Sequence, residues 1–241
     1  MKNKRAIVIA ALAIWILIAT SAVTFLTWTN PKVRAVIGMG WGLILLWIFL
    51  GGSLMYYFRD AVRRFILGIR LEWRLKFILF CTILALLEEA ITTAMTNLAP
   101  LFGVKIGEAY ITATTNYFDV VALHSVVMFV PLFVGWAFIL WRYNFNPFAV
   151  FLLFGLTGTI METNFFLRNP LEFGLWIFVY GLMVFLPAYC VPPERPTRPL
   201  RWWHYPLAVF VPFLFIPLVP LPLLVGWFFP HHPKFHFPQI G

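Results

Sequence analysis

Two adjacent glutamates, Glu88 and Glu89, stand near the middle of an apolar run at about 77–101. An ionisable side chain inside a membrane span costs roughly 2.5–3.5 kcal/mol on insertion scales, which makes it a functional candidate by default. Steps of three, four, seven and eight from Glu89 reach Thr92, Thr93, Thr96 and Asn97, all on one helix face. Polarity therefore runs as a stripe from mid-membrane toward one surface. Neighbouring residues lie about 100° apart around a helix. The two carboxyls must then either both edge a wide polar cavity or divide between a cavity and an adjoining helix.

Later spans offer company. His124, followed by Ser125, lies in the next apolar run, with Asp119 nearer the outer surface. Glu162 lies in the run after that, near Thr159, Thr163 and Asn164, and Gly155 and Gly158 share its face so that a neighbouring helix can approach closely. Two chemistries suit the set Glu88, Glu89, His124 and Glu162. A carboxylate can act as general base on water while a histidine polarises or protonates the reacting group. The same four residues could ligate a divalent metal, although no HxxxH, ExxH or HExxH spacing among them supports that cofactor. Thr92, Thr93, Thr96, Asn97, Asp119 and Asn164 are the expected substrate contacts. The tail PHHPKFHFPQIG adds His231, His232 and His236. Histidine clusters can bind metal, but prolines interrupt this one and no third element is evident to close a site, so the expectation is a short tail packed on the outer surface.

The elements that hold these residues follow from composition. The chain has 241 residues, 62% hydrophobic and only 11% charged, against about 25% charged in a soluble domain. Apolar runs at about 6–28, 35–58, 77–101, 118–141, 147–166, 173–190 and 207–229 read as membrane spans. In lipid the backbone must satisfy its own hydrogen bonds, so the expected fold is an all-α polytopic transmembrane bundle of seven spans forming one integral membrane domain. Pro206, Pro212, Pro217, Pro220 and Pro222 make the last run a kinked or partly extended crossing. If it fails to cross, six spans remain. Gly38, Gly40, Gly42, Gly51 and Gly52 mark the second run for close helix packing.

The net charge of +9 sits in short loops, where it suits anionic lipid headgroups and leaves no basic domain for nucleic acid. Most of the 18 lysines and arginines fall on one side, which sets the N-terminus cytoplasmic and the C-terminus outside a cytoplasmic-type membrane. Lys2, Lys4 and Arg5 look like the start of a signal peptide, but the apolar run continues to about Trp28, so an uncleaved first span is expected. Segment 59–76 puts Arg59, Arg63, Arg70 and Arg74 on one face and Val62, Phe65, Ile66, Ile69 and Trp73 on the other. This is the pattern of an interfacial helix reaching lipid phosphates. The alternative is that spans two and three extend past the bilayer with charged ends. Cys81 and Cys190 fit neither a disulfide framework nor a zinc spacing.

Glu88-Glu89 on one span and His124 on the next resemble, in kind and order, the CAAX-protease and bacteriocin-processing family of intramembrane glutamic proteases. The resemblance covers about a third of the chain. It implies that Glu88 or Glu89 is the base and His124 the oxyanion partner. Thr93 and Val120 stand where that family has arginine and phenylalanine, and the later histidine pattern has only His204 followed by Ala208. Three functions remain in view: an intramembrane hydrolase of lipid or peptide, a non-catalytic subunit among other membrane proteins, and a proton- or ion-coupled transporter. Membrane lipids are partners in all three.

Overall fold

Asparagine followed by proline starts two of the long helices, because the amide side chain caps exposed backbone N–H groups and proline fits the first turn. Asn30 accepts from Lys32 N and Val33 N before Pro31, and Asn146 accepts from Ala149 N before Pro147. The structure, a computed structural model, describes residues 2–163 and 170–238. Its helices are α1 (Lys2–Leu26), α2 (Pro31–Gly68), α3 (Trp73–Asn97), α4 (Tyr117–His124), α5 (Val126–Arg142), α6 (Pro147–Glu162), α7 (Phe173–Tyr189), α8 (His204–Phe215) and α9 (Leu221–Phe228). Among the described residues, β pairing is confined to two isolated bridges. The chain is an all-α helical bundle.

Among the described residues three helices, α1, α2 and α3, are long and apolar enough to cross a membrane, and a fourth crossing arises if α4 and α5 count as one. The run expected as a single span at 118–141 is bent by 48° at Ser125, next to a π-helical turn over Val120–His124. Such turns widen the backbone ladder and are a standard cause of kinks. α6 and α7 have 16 and 17 residues. At about 1.5 Å per residue they are shorter than a hydrocarbon core of about 30 Å. The proline-rich run at 207–229 is two short helices, α8 and α9, joined by a turn. It still follows α5 along its length: His204 stacks near Tyr143, Pro212 lies against Gly135, and the tail beyond α9 reaches His124.

Segment 59–76 is not one amphipathic helix. α2 continues to Gly68, a turn follows, and α3 starts at Trp73 with Glu72 as its cap. Burial pushes the Glu72 carboxyl up, but hydrogen bonds from the Arg74 side chain and backbone and from the Leu75 amide outweigh it and hold the group below its usual range. Arg70 and Arg74 are exposed, whereas Arg63 turns in over the Tyr189 ring, 5.5 Å from its centroid.

α3 is central, packed against α2, α5 and α7, and α7 lies along α6. That last pair is antiparallel, since Phe151, Gly155 and Thr159 meet Gly181, Ile177 and Phe173 in turn. A methyl on Gly155 would lie 2.4 Å from the Ile177 carbonyl oxygen, and one on Gly158 would strike the Tyr180 ring. Close approach here requires glycine. Gly155→Ala is therefore expected to lower stability by about 1–3 kcal/mol through overpacking, read as an earlier midpoint in SDS titration. Gly40→Ala, where the added methyl meets nothing within 4 Å, should not lower it.

Candidate functional site

α3 carries Glu88 and Glu89 into the bundle, where both are buried at 4% and 7% exposure. The Thr92 hydroxyl stands 3.2 Å from Glu89 Oε2 and donates one turn back along the helix. The Tyr117 hydroxyl donates to the Leu86 carbonyl at 3.0 Å and so pins α4 to α3. This anchor brings the bend at Ser125 beside α3, where the Ser125 hydroxyl donates to the Val120 carbonyl at 3.2 Å and Ser125 lines the same cavity as Glu89. Glu162, at the end of α6, accepts a hydrogen bond from the Tyr180 hydroxyl of α7. Three carboxyls from two helices and the Tyr180 phenol thus share one space.

They line a cavity of about 680 Å³, well within the range of about 300–1,000 Å³ usual for small-molecule sites. Glu88, Glu89, Thr92, His124, Ser125, Glu162 and Tyr180 all line it, and apolar residues of α1, α2 and α7 supply about half of the remaining wall. Both glutamates edge the same space despite their angular separation. A mainly apolar cavity with a few polar groups in its wall is the usual form of a small-molecule site.

The outer part of the α3 stripe does other work. Thr93, expected as a substrate contact, is buried away from the cavity, and its hydroxyl has no hydrogen-bond partner among the described residues. Thr96 accepts from the Ile111 amide and meets the Thr112 hydroxyl, both at 3.2 Å. Asn97 Nδ2 donates to the carbonyls of Thr93 and Thr115 at 3.0 and 2.9 Å. Thr96 and Asn97 therefore hold the loop at 98–116 against α3 and do not face the cavity where a substrate would lie. Asn164 lies outside the described residues.

That loop receives the C-terminal tail. His236 N donates to the Ala113 carbonyl at 2.9 Å, the Tyr110 hydroxyl donates to the Pro238 carbonyl at 3.0 Å, and Tyr110 stacks on Phe237. His232 and His236 are thereby delivered to Asp119 and His124 of α4. Asp119 Oδ1 lies 3.0 Å from His232 Nε2, and Oδ2 lies 3.1 Å from His236 Nε2. Asp119 thus meets the tail and not the cavity. The two Nε2 atoms of His124 and His232 are 3.0 Å apart. The missing third element is α4, so these tail histidines do have partners to converge with.

Two kinds of residue carry no clear sequence signal as site members. Tyr180 is the only hydroxyl inside the apolar run of α7, since Tyr189 stands at its end, and a mid-span tyrosine needs a partner for its O–H. That need is the available signal. His232 and His236 are four apart, but their convergence with residues more than a hundred positions earlier depends on the tail docking. Removing the donor in Tyr180→Phe leaves Glu162 without it, at a cost of about 1–3 kcal/mol. A double-mutant cycle with Glu162→Gln, read by SDS unfolding, should show coupling of about 1 kcal/mol or more. No family model matches the chain, and neither a curated protein nor a solved structure matches it, so the chemistry of this cavity is read from its own residues.

Proposed function

We propose that this chain is an intramembrane hydrolase whose substrate, a lipid or a membrane-embedded peptide, occupies the cavity with its scissile bond beside Glu88, Glu89 and Glu162. The observation that carries this reading is that those three carboxyls and Tyr180, whose hydroxyl donates to Glu162, line one mainly apolar cavity. Glu89, held by Thr92, takes the proton of the attacking water as general base, a role worth about 10²–10⁴-fold in rate. Tyr180, once its O–H turns from Glu162, is the donor suited to the developing oxyanion. His124 borders the same cavity, yet its Nε2 contacts His232 and Asp119. The oxyanion role that the family resemblance implies for it therefore passes to Tyr180 in this proposal. The proposed topology has seven crossings with the N-terminus inside and the C-terminus outside. The last crossing is broken by its prolines and shielded along α5.

A second reading, a proton- or ion-coupled transporter, draws on the break at Ser125 beside Glu89, because interrupted helices next to intramembrane carboxyls are a feature of transporters. One experiment separates them. The purified chain is reconstituted in phosphatidylethanolamine–phosphatidylglycerol vesicles carrying fluorogenic single-span peptides and an internal pH dye. Hydrolysis of the lipids or of the peptides is expected, reduced by about 100-fold or more in Glu89→Gln and unchanged in Glu108→Gln on the exposed loop. Absence of both hydrolyses, or full turnover by Glu89→Gln, overturns the reading. Proton flux that depends on Glu89 without hydrolysis selects the transporter.

A further inference from the structure

We propose that Asp119, His124, His232 and His236 form a binding site for a zinc-class divalent cation that clasps the C-terminal tail to α4. The four candidate donor atoms all lie within 4.8 Å of one another. Neighbouring donors are 3.0 Å apart for His124 and His232, 3.3 Å for His232 and His236, and 3.0 and 3.1 Å for the two Asp119 contacts. His124 and Asp119 stand farther apart, at 3.8 Å. A tetrahedral ion with bonds of about 2.0–2.1 Å sets its ligands about 3.3–3.4 Å apart. The cluster is already close to that size.

Hydrogen bonding alone serves this arrangement poorly. An imidazole Nε2 has one in-plane position, which holds either a proton or a lone pair. His232 Nε2 meets Asp119, His124 and His236 within 3.3 Å. One proton there cannot point at three partners, and a lone pair there faces a carboxylate. A cation at the centre accepts all four donor lone pairs together. Three imidazoles and one carboxylate suit zinc, cobalt or nickel, whereas calcium and magnesium favour all-oxygen shells.

The tail is already aimed at the site by bonds that involve none of these side chains, namely His236 N to Ala113 and Tyr110 to Pro238. Lys234 and Phe235, between the two tail ligands, line the cavity. A cation bound by four protein groups is structural in kind, and here it would fix residues 232–236 as one wall of that cavity. The inference does not rest on the hydrolytic reading, because ion content is measured without turnover.

The test uses the full chain in detergent, stripped with chelator, loaded with Zn²⁺ or Co²⁺ and desalted. About one ion per chain is expected, with the intense visible spectrum of tetrahedral Co²⁺. Trypsin cleavage after Lys234 should slow at least tenfold on Zn²⁺ loading. His124→Ala and His236→Gln, each checked for a monodisperse elution profile, should lose the ion and the protection, whereas His231→Ala should keep both. No stoichiometric ion in the wild type, a weak octahedral Co²⁺ spectrum, or unchanged loading in the His124 and His236 variants overturns the proposal and leaves a cluster that holds protons only.

Discussion

A carboxyl in an apolar bundle must be given hydrogen-bonding partners, because an uncompensated one costs several kcal/mol. Glu162 illustrates how far that requirement reaches. Its donor is Tyr180 on the neighbouring helix, and the tyrosine can come within range only because α6 and α7 nearly touch. Their approach depends on Gly155 facing the Ile177 backbone, Gly158 facing the Tyr180 ring itself, and Gly181 facing Phe151. The glycine that makes room for the ring lies one helical turn before the glutamate that uses its hydroxyl. Packing and polar satisfaction are one constraint here, and the cavity inherits polar groups in its wall from it.

The polar stripe on α3 divides into two tasks. At its buried end, Glu88, Glu89 and Thr92 face the cavity. At its outer end, Thr96 and Asn97 hold the following loop through Ile111, Thr112 and Thr115. That loop then holds the tail through Ala113 and Tyr110. A continuous set of hydrogen bonds therefore links the helix that carries the glutamates to the segment that carries His232 and His236.

Much of this is legible in the chain itself. The apolar runs dictate the helical class, the Asn-Pro pairs mark two helix starts, and Gly155 with Gly158 announces a close helix neighbour. Glu88, Glu89, His124 and Glu162 are legible as ionisable groups inside apolar runs, which must be paired or face a polar space; that all four line one cavity is seen only in the fold. The bend at Ser125 is not legible, since a π-helical turn depends on how Tyr117 and Ser125 meet α3 and leaves no periodic trace. The split of 59–76 is hidden because its face pattern persists through Ile69–Glu72 while the backbone turns. Convergence of the tail with α4 joins residues 108 positions apart, a contact that local pattern does not encode.

The proline-rich last segment and the histidine cluster answer one physical problem. Prolines remove backbone donors, so α8 and α9 cannot close their own hydrogen-bond ladders and need help from the bundle. Thr157 gives some, donating to the Val209 carbonyl at 3.0 Å, and Gly135 lets Pro212 lie close against α5. Beyond α9 the described residues, 229–238, form no helix and rely on the loop and on α4 for position. The Asp119, His124, His232 and His236 cluster sits at that point. The proposed cation would cross-link the chain where the backbone contributes least, and would there fix the cavity wall formed by Lys234 and Phe235.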